Sequence, residues 1–329
     1  MRDAETFTVD DPRFSTARVI GPMMLSVDGA EHDRHRAPFA RPFRRGAVRE
    51  RFSDLVVREV DALVDELAPG ADLRRELAGP LAATIVMHAL GLDRGDRDGV
   101  LGWYERIVAS TSAIAEGREP TPEGKAAFRE LGAAIEGALD GESLLAAAAG
   151  DGGLRRDEVV SNAAVLMFGG IETTEGMIAN LLFHLLTNPE ALARVRADPS
   201  LVPAALEESL RLEPAAATID RYASRDVSLG DTDIRAGDLV TISIRAANRD
   251  AAVFDDADRF DLDRPNARLH LAFAHGPHVC IGMHLARLEA HAAVSRALER
   301  LPGLRLVDPA AAAPRGLVFR KPPELRVSW

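Results

Sequence analysis

Phe273-Ala274-His275-Gly276-Pro277-His278-Val279-Cys280-Ile281-Gly282 holds the only cysteine of the chain, and the reading of every other segment follows from it. A Gly-Pro turn precedes the cysteine. An amphipathic helix is predicted to follow, with Ile281, Leu285, Leu288 and Ala292 on one face. Cys280 then stands at a helix N-terminus, where free N–H groups and the positive end of the dipole favour thiolate over thiol. A thiolate can ligate a soft metal ion or act as a nucleophile. His278 is an awkward base for the second role, because residues two apart face opposite ways in extended chain. A packed structural cysteine is the third reading and the commonest role of a free Cys.

Upstream, Val159 to Leu186 is predicted as a long, mostly apolar helix interrupted by Gly169-Gly170-Ile171-Glu172-Thr173-Thr174. Each glycine inside a helix costs about 1 kcal/mol relative to alanine, so two together call for a reason. Either something bulky approaches the backbone, or a neighbouring helix packs there; the residues leave both open. Thr173 and Thr174 can bond back to carbonyls one turn earlier and bend the helix. Glu208 and Arg211, three apart, share a helix face. His32 and Arg36, four apart, form a cationic pair suited to a carboxylate, or else a solvated basic face. Arg221 opens a strand-rich island between Ile219 and Ile244.

The remaining pattern is mainly α with a small β region. Further helices are predicted over Arg49–Leu67, Gly79–Leu90, Lys125–Leu139, Pro189–Val195, Pro203–Leu212 and Ile281–Leu301, and short strands over Asp226–Gly230 and Leu239–Ile244. An irregular β tail runs from Leu304 to Trp329, and the Ala-rich stretch Leu144 to Gly153 reads as a surface connection. No fixed-period repeat and no long linker divides the 329 residues, so residues 1–329 are expected to form one domain. A formal charge of −11, with 40 basic against 51 acidic residues, disfavours nucleic acid as a partner. Two Tyr and two Trp are too few for a base-stacking surface. One cysteine excludes an intrachain disulfide, the polar start has no apolar signal region, and the apolar runs are too short for a membrane span. A cytoplasmic protein is the expectation.

The cysteine segment resembles the signature of the cytochrome P-450 family, Phe-Gly-x-Gly-x-His-x-Cys-x-Gly. It matches at Phe273, Gly276, His278, Cys280 and Gly282 and departs at Ala274, where the family usually has Gly. Gly169-Gly170-x-Glu172-Thr173-Thr174 is similar to the family's oxygen-activating motif, and Glu208-x-x-Arg211 to its buried ion pair. The resemblance covers nearly the whole chain from about Arg2. It implies haem b with Cys280 as the iron ligand, and Phe273 beside the iron–sulfur bond. It implies propionate contacts from His32, Arg36, Arg221 and His278, and Glu172 with Thr173 as the catalytic acid–alcohol pair. The Glu208–Arg211 pair is structural by the same resemblance.

The activity it implies is insertion of one oxygen atom from O2 into an apolar small molecule. Electrons would come from a ferredoxin or flavoprotein, docked in part by Arg41, Arg44 and Arg45. Family members usually carry several dozen residues before the segment that resembles this start. The expectation is therefore a P-450 fold lacking its N-terminal sheet segment, with exposed strand edges. Two alternatives follow: a haem protein without turnover, or a peroxide-driven peroxygenase.

Overall fold

The computed structural model describes residues 1–92, 97–115, 117–138, 144–150 and 153–329. The fold is mainly helical with three small sheets. Its helices are α1 (Ala17–Ile20), α2 (Gly29–Ala40), α3 (Arg45–Glu66), α4 (Gly79–Leu90), α5 (Arg97–Ala115), α6 (Pro122–Ala138), α7 (Leu144–Gly150) and α8 (Arg156–Thr187). They continue with α9 (Pro189–Ala197), α10 (Val202–Leu212), α11 (Ile244–Ala247) and α12 (Met283–Arg300).

The 32-residue α8 is the axis of the molecule, packed against α4, α6, α10 and α12. Its apolar residues point all round because it is enclosed all round. Between Glu158 and Leu182 the three positions that are not buried are Gly169, Gly170 and Thr173. The most enclosed helix thus keeps a short stripe of partly exposed positions at its middle. At its start, the Glu158 carboxylate accepts the Arg155 N–H (2.8 Å), which satisfies an otherwise orphaned donor of the first turn.

The strands are β1 (Phe7–Thr8), β2 (Thr218–Ala223), β3 (Val227–Leu229), β4 (Thr232–Ile234), β5 (Leu239–Ser243), β6 (Arg305–Leu306) and β7 (Val327–Ser328). They form an antiparallel sheet of order β1-β2-β5 and two hairpin pairs, β3-β4 and β6-β7. Among the described residues the outer edge of β5 pairs with no strand, and Leu239 on it is 54% exposed.

Two sequence expectations change. Leu144–Gly150 is a helix, not a connection, with Leu145 and Ala148 fully buried; an alanine run is a strong helix former once its apolar face finds a core. Residues 151–152 of that stretch, and Leu139 at the end of the predicted sixth helix, lie outside the described residues. Helix α5 was not expected, because Ser110-Thr111-Ser112 interrupts its apolar periodicity.

Candidate functional site

The cysteine loop is fixed by its own backbone. The Cys280 N–H donates to the Phe273 carbonyl (2.9 Å), Val279 N–H to Gly276 (3.1 Å) and Ala274 N–H to Leu271 (2.8 Å). Gly276 has φ +85°, and a Cβ there would fall 2.5 Å from the Met1 carbonyl oxygen, so both conformation and space require glycine. Ala274 has φ +58°, the left-handed region that an alanine enters only with strain. This is the position where the signature departs from glycine, and the backbone keeps the glycine conformation regardless.

Helix α12 begins at Met283, two residues later than expected, and Gly282 is its N-cap. Cys280 therefore precedes the helix and keeps a partly exposed face. Burial pushes its thiol up, against the opposing pull of the Gly282 N–H, Arg36, Arg287 and the Met283 N–H. The expected thiolate preference is thus corrected for the chain alone: desolvation of the sulfur outweighs the helix terminus. A coordinated metal ion reverses that balance, because a ligating thiol is deprotonated outright.

Behind the loop lies a residue the sequence did not single out. Glu207 takes Arg287 in a two-point pair (2.7 and 2.9 Å) and His270 Nε2 at 3.1 Å. Arg287 in turn sits 4.4 Å over the Phe273 ring. Burial raises the Glu207 carboxyl, but hydrogen bonds from His270 and Arg287 outweigh it and hold the group at about 2. Its neighbour Glu208 makes the expected pair with Arg211 at 2.8 Å on both oxygens, with Arg211 fully buried. Arg264 Nε adds a third contact to Glu208 at 2.9 Å. Arg211 also donates to the carbonyls of Asn248, Ala257 and Arg259. The adjacent glutamates could not be separated by spacing beyond the match to Arg211, since the partners of Glu207 lie 63 and 80 residues away.

Beside the cysteine loop, α2 and β2 bring four expected residues to one place. The His32 and His278 rings have centroids 4.4 Å apart. Arg36 donates to the Val279 carbonyl (2.7 Å), and its charge acts on the Cys280 thiol. Arg221, buried in β2, donates to the Asp220 carbonyl (2.7 Å) and has no carboxylate in ion-pair contact among the described residues. His32 Nε2 is buried without any partner. Burial lowers the His32, Arg36 and Arg221 groups, because desolvation disfavours their charged forms. Asp28, the N-cap residue of α2, accepts His278 Nε2 (2.8 Å), the Thr8 hydroxyl (2.6 Å) and the Val9 N–H (2.8 Å). Burial pushes its carboxyl up, but these bonds win and hold it well below the usual range. Asp28 was not singled out in the sequence either, because its partners come from two distant segments, Thr8–Val9 and the cysteine loop.

On α8 the two glycines have different reasons. A Cβ on Gly170 would meet Val86 Cγ2 of α4 at 2.9 Å, so this glycine serves helix packing. A Cβ on Gly169 would meet nothing within 4 Å, so this one faces open space. The Thr173 hydroxyl donates to the Gly169 carbonyl (2.6 Å), the local bond that bends helices. Glu172 and Thr173 turn to different neighbours. Glu172 is buried and lies 2.9 Å from Lys321 Nζ. Burial raises its carboxyl, with Lys321 opposing.

The cytochrome P450 family model matches residues 138–323. The chain is 38% identical to cytochrome P450 107B1 of Saccharopolyspora erythraea, over 92% of this chain and 74% of that protein. It is 37% identical to nocardicin C N-oxygenase of Nocardia uniformis subsp. tsuyamanensis, over 98% and 86%. The structure of CYP109Q5 from Chondromyces apiculatus superposes with a TM-score of 0.88 at 30% identity, covering 99% of this chain and 85% of that one.

The chain belongs to the cytochrome P450 family.

This P450 is a haem-thiolate monooxygenase, an oxidoreductase that incorporates molecular oxygen into a small-molecule substrate with electrons from a redox partner. Its cofactor is haem b. The P450's own residues fit that group. An orphaned His32 Nε2, an Arg221 without a carboxylate and a Gly169 facing open space are what a dianionic, flat ligand beside Cys280 would satisfy. Among the described residues of this P450, no helix is long and apolar enough to cross a membrane.

Proposed function

We propose that residues 1–329 work as one haem-binding domain in which Cys280 is the proximal ligand, with Phe273, Gly276 and Gly282 shaping its loop. His32, Arg36, Arg221 and His278 would hold the propionates of a bound haem, and Gly169 would leave room for it beside α8. The observation that carries this reading is a buried His32 Nε2 without a partner beside Arg36 and Arg221, two arginines bonded to backbone carbonyls and to no carboxylate among the described residues. Arginine suits such a site because its planar fork binds carboxylates in two-point fashion. The Glu208–Arg211 pair braces the segment that precedes the loop.

When bound, haem supplies the activation of molecular oxygen. The residues around it bind, exclude water and handle protons. The Thr173 hydroxyl, already bonded to the Gly169 carbonyl, offers its lone pairs on the open side of α8. Glu172 is the buried carboxyl that takes protons from solvent and passes them towards that hydroxyl, a role to which its raised affinity for protons is suited. The edge-to-face pair Phe168–Phe319 (5.5 Å), with Tyr104 beyond Phe168 (6.4 Å), provides an apolar wall fitting an apolar substrate.

The electron donor in this reading is a ferredoxin or flavoprotein with an acidic docking face. A cleft of about 760 Å³ beside α12 is lined by Arg45, Arg49, Arg268, Arg287, His284 and His291. Its positive charge persists although the chain as a whole carries −11. Arg41 and Arg44 are exposed next to Arg45 and extend this surface. A cytoplasmic setting suits a lone cysteine that must stay reduced to bind iron.

The test is the absorption spectrum of the dithionite-reduced, CO-bound protein. A strongly red-shifted Soret band is expected, and it should vanish in Cys280→Ala. A band at the position of imidazole-ligated haem in the parent protein would overturn the assignment.

A further inference from the structure

Of the 40 basic side chains in this protein only two are lysines, Lys125 and Lys321. Lys125 is exposed on α6. Lys321 instead lies between two buried carboxylates of α8, with Nζ 2.9 Å from Glu172 Oε1 and 2.9 Å from Glu175 Oε2. A chain that uses arginine almost everywhere has an ammonium at this half-buried position between two buried carboxylates. The two cations are not equivalent. Arginine would lock both carboxylates with a rigid fork, whereas lysine is a point charge on a flexible stem.

The surroundings confine movement to that stem. The backbone of Lys321 is tied to Arg315 in both directions, N–H to carbonyl at 3.0 and 3.2 Å. Gly316, with φ +119°, makes the tight turn between them. The same segment is stitched to residues 215–217 through Arg320 N–H to Ala215 (2.9 Å) and Ala217 N–H to Val318 (2.8 Å).

The two carboxylates differ in what remains if the ammonium leaves. Glu175 Oε1 keeps Arg74 Nη1 at 2.6 Å, and Arg74 is itself held by the Pro323 carbonyl (3.1 Å). Glu172 has no second ion-pair partner among the described residues. The charged groups that face Glu172 are therefore Lys321 from the C-terminal turn, Glu175 from its own helix and, farther off, Arg74 from the π-helical turn Arg74–Ala78. A buried carboxylate that loses its only counter-charge takes up a proton.

We propose that Lys321 is a positioning residue for proton delivery: its ammonium holds Glu172 as an anion turned away from Thr173, and movement onto Glu175 releases Glu172 to protonate and turn towards the cavity. This rests on reading Glu172 and Thr173 as the proton-delivering pair. The proton comes from bulk water, and Glu172 returns to the carboxylate when it gives the proton up, so no other reactant is needed. Phe319, two residues before Lys321, packs on Phe168 of α8. The clamp thus lies within one turn of the wall a substrate would press on.

The experiment is an infrared pH titration of the haem-loaded protein, following the protonated-carboxyl band that disappears in Glu172→Gln. In Lys321→Gln the protonated fraction of Glu172 at a fixed pH should rise about tenfold or more. In Lys321→Arg it should stay near that of the parent. NADPH-driven oxygen uptake, with a plant-type ferredoxin and its reductase, should slow in Lys321→Arg because the fork cannot let go. Its pH profile should move to higher pH in Lys321→Gln. An unmoved band and profile in Lys321→Gln, with haem content and melting temperature the only properties affected, would make Lys321 purely structural and overturn the proposal. If Lys321→Gln does not fold, uptake in Lys321→Arg decides: a rate equal to the parent's overturns it. Failure of the underlying reading looks different, since Glu172→Gln itself would then leave oxygen uptake and its pH profile unchanged.

Discussion

Two buried ionic clusters of the molecule are built on opposite plans. In the first, Glu208 is held by Arg211 and Arg264, and Arg211 is spread over three backbone carbonyls as well. In the second, Glu172 depends on a single lysine that it shares with Glu175. The first cluster is over-determined: any one contact can stretch and the guanidinium still has nowhere to go. In the second a few rotations of one side chain redistribute the charge. Desolvation is costly in both places, so the difference in partners separates a brace from a moving part.

The largest effect should come from breaking the brace. Arg211→Met leaves Glu208 buried with half its counter-charge, and about 3–5 kcal/mol of stability should be lost. Denaturant unfolding and the yield of haem-loaded protein would read this. Lys321→Gln, measured alongside, should cost clearly less, because Glu172 can protonate instead; equal losses would erase the distinction between the clusters.

Glu207, next to Glu208, sharpens the comparison on the side of the brace. Its carboxyl is depressed to about 2 from an ordinary 4.5, so its contribution is fully present above about pH 4.5 and is lost as pH falls through about 2. Glu207→Gln should lower stability near neutrality by about 2 kcal/mol. It should also flatten the loss of stability between those two pH values, as followed by thermal melts across the acid range. A variant as acid-sensitive as the parent would show that the Arg287–Phe273 contact does not depend on this carboxylate.

The smallest effect is a gain. Ala274 is held at φ +58° by a loop whose other bonds leave it no choice. Ala274→Gly should relieve about 1 kcal/mol without altering the spectrum of the bound haem. A destabilised variant would mean that the methyl group contributes packing larger than the strain.

The sequence carried the fold and the segments of the site unevenly. Gly79–Leu90 was placed to the residue because glycine and proline punctuate its start and a glycine ends it. Cys280, His278 and Gly276 were legible because one short loop holds all of them, so their order along the chain is their order in space. Asp28, Glu207 and Lys321 were not. Each acts through partners between 19 and 250 residues away, and nothing local distinguishes them from surface charges. The double glycine shows the same limit within two residues. Both were visible, but that Gly170 meets Val86 while Gly169 faces open space depends on where α4 comes to rest. The proton affinity of the thiol in the chain alone was not legible for a related reason: a helix terminus can be read locally, whereas desolvation depends on everything packed around the sulfur.

The scarcity of lysine also gives the protein a built-in reporter. An amine-directed acylating reagent has just two side chains to find, one on an open helix face and one wedged between carboxylates. Lys125 then serves as the internal standard. The rate at which Lys321 acquires label, read by peptide mass, counts how often its ammonium lets go and sheds its proton, with no need to watch turnover at all.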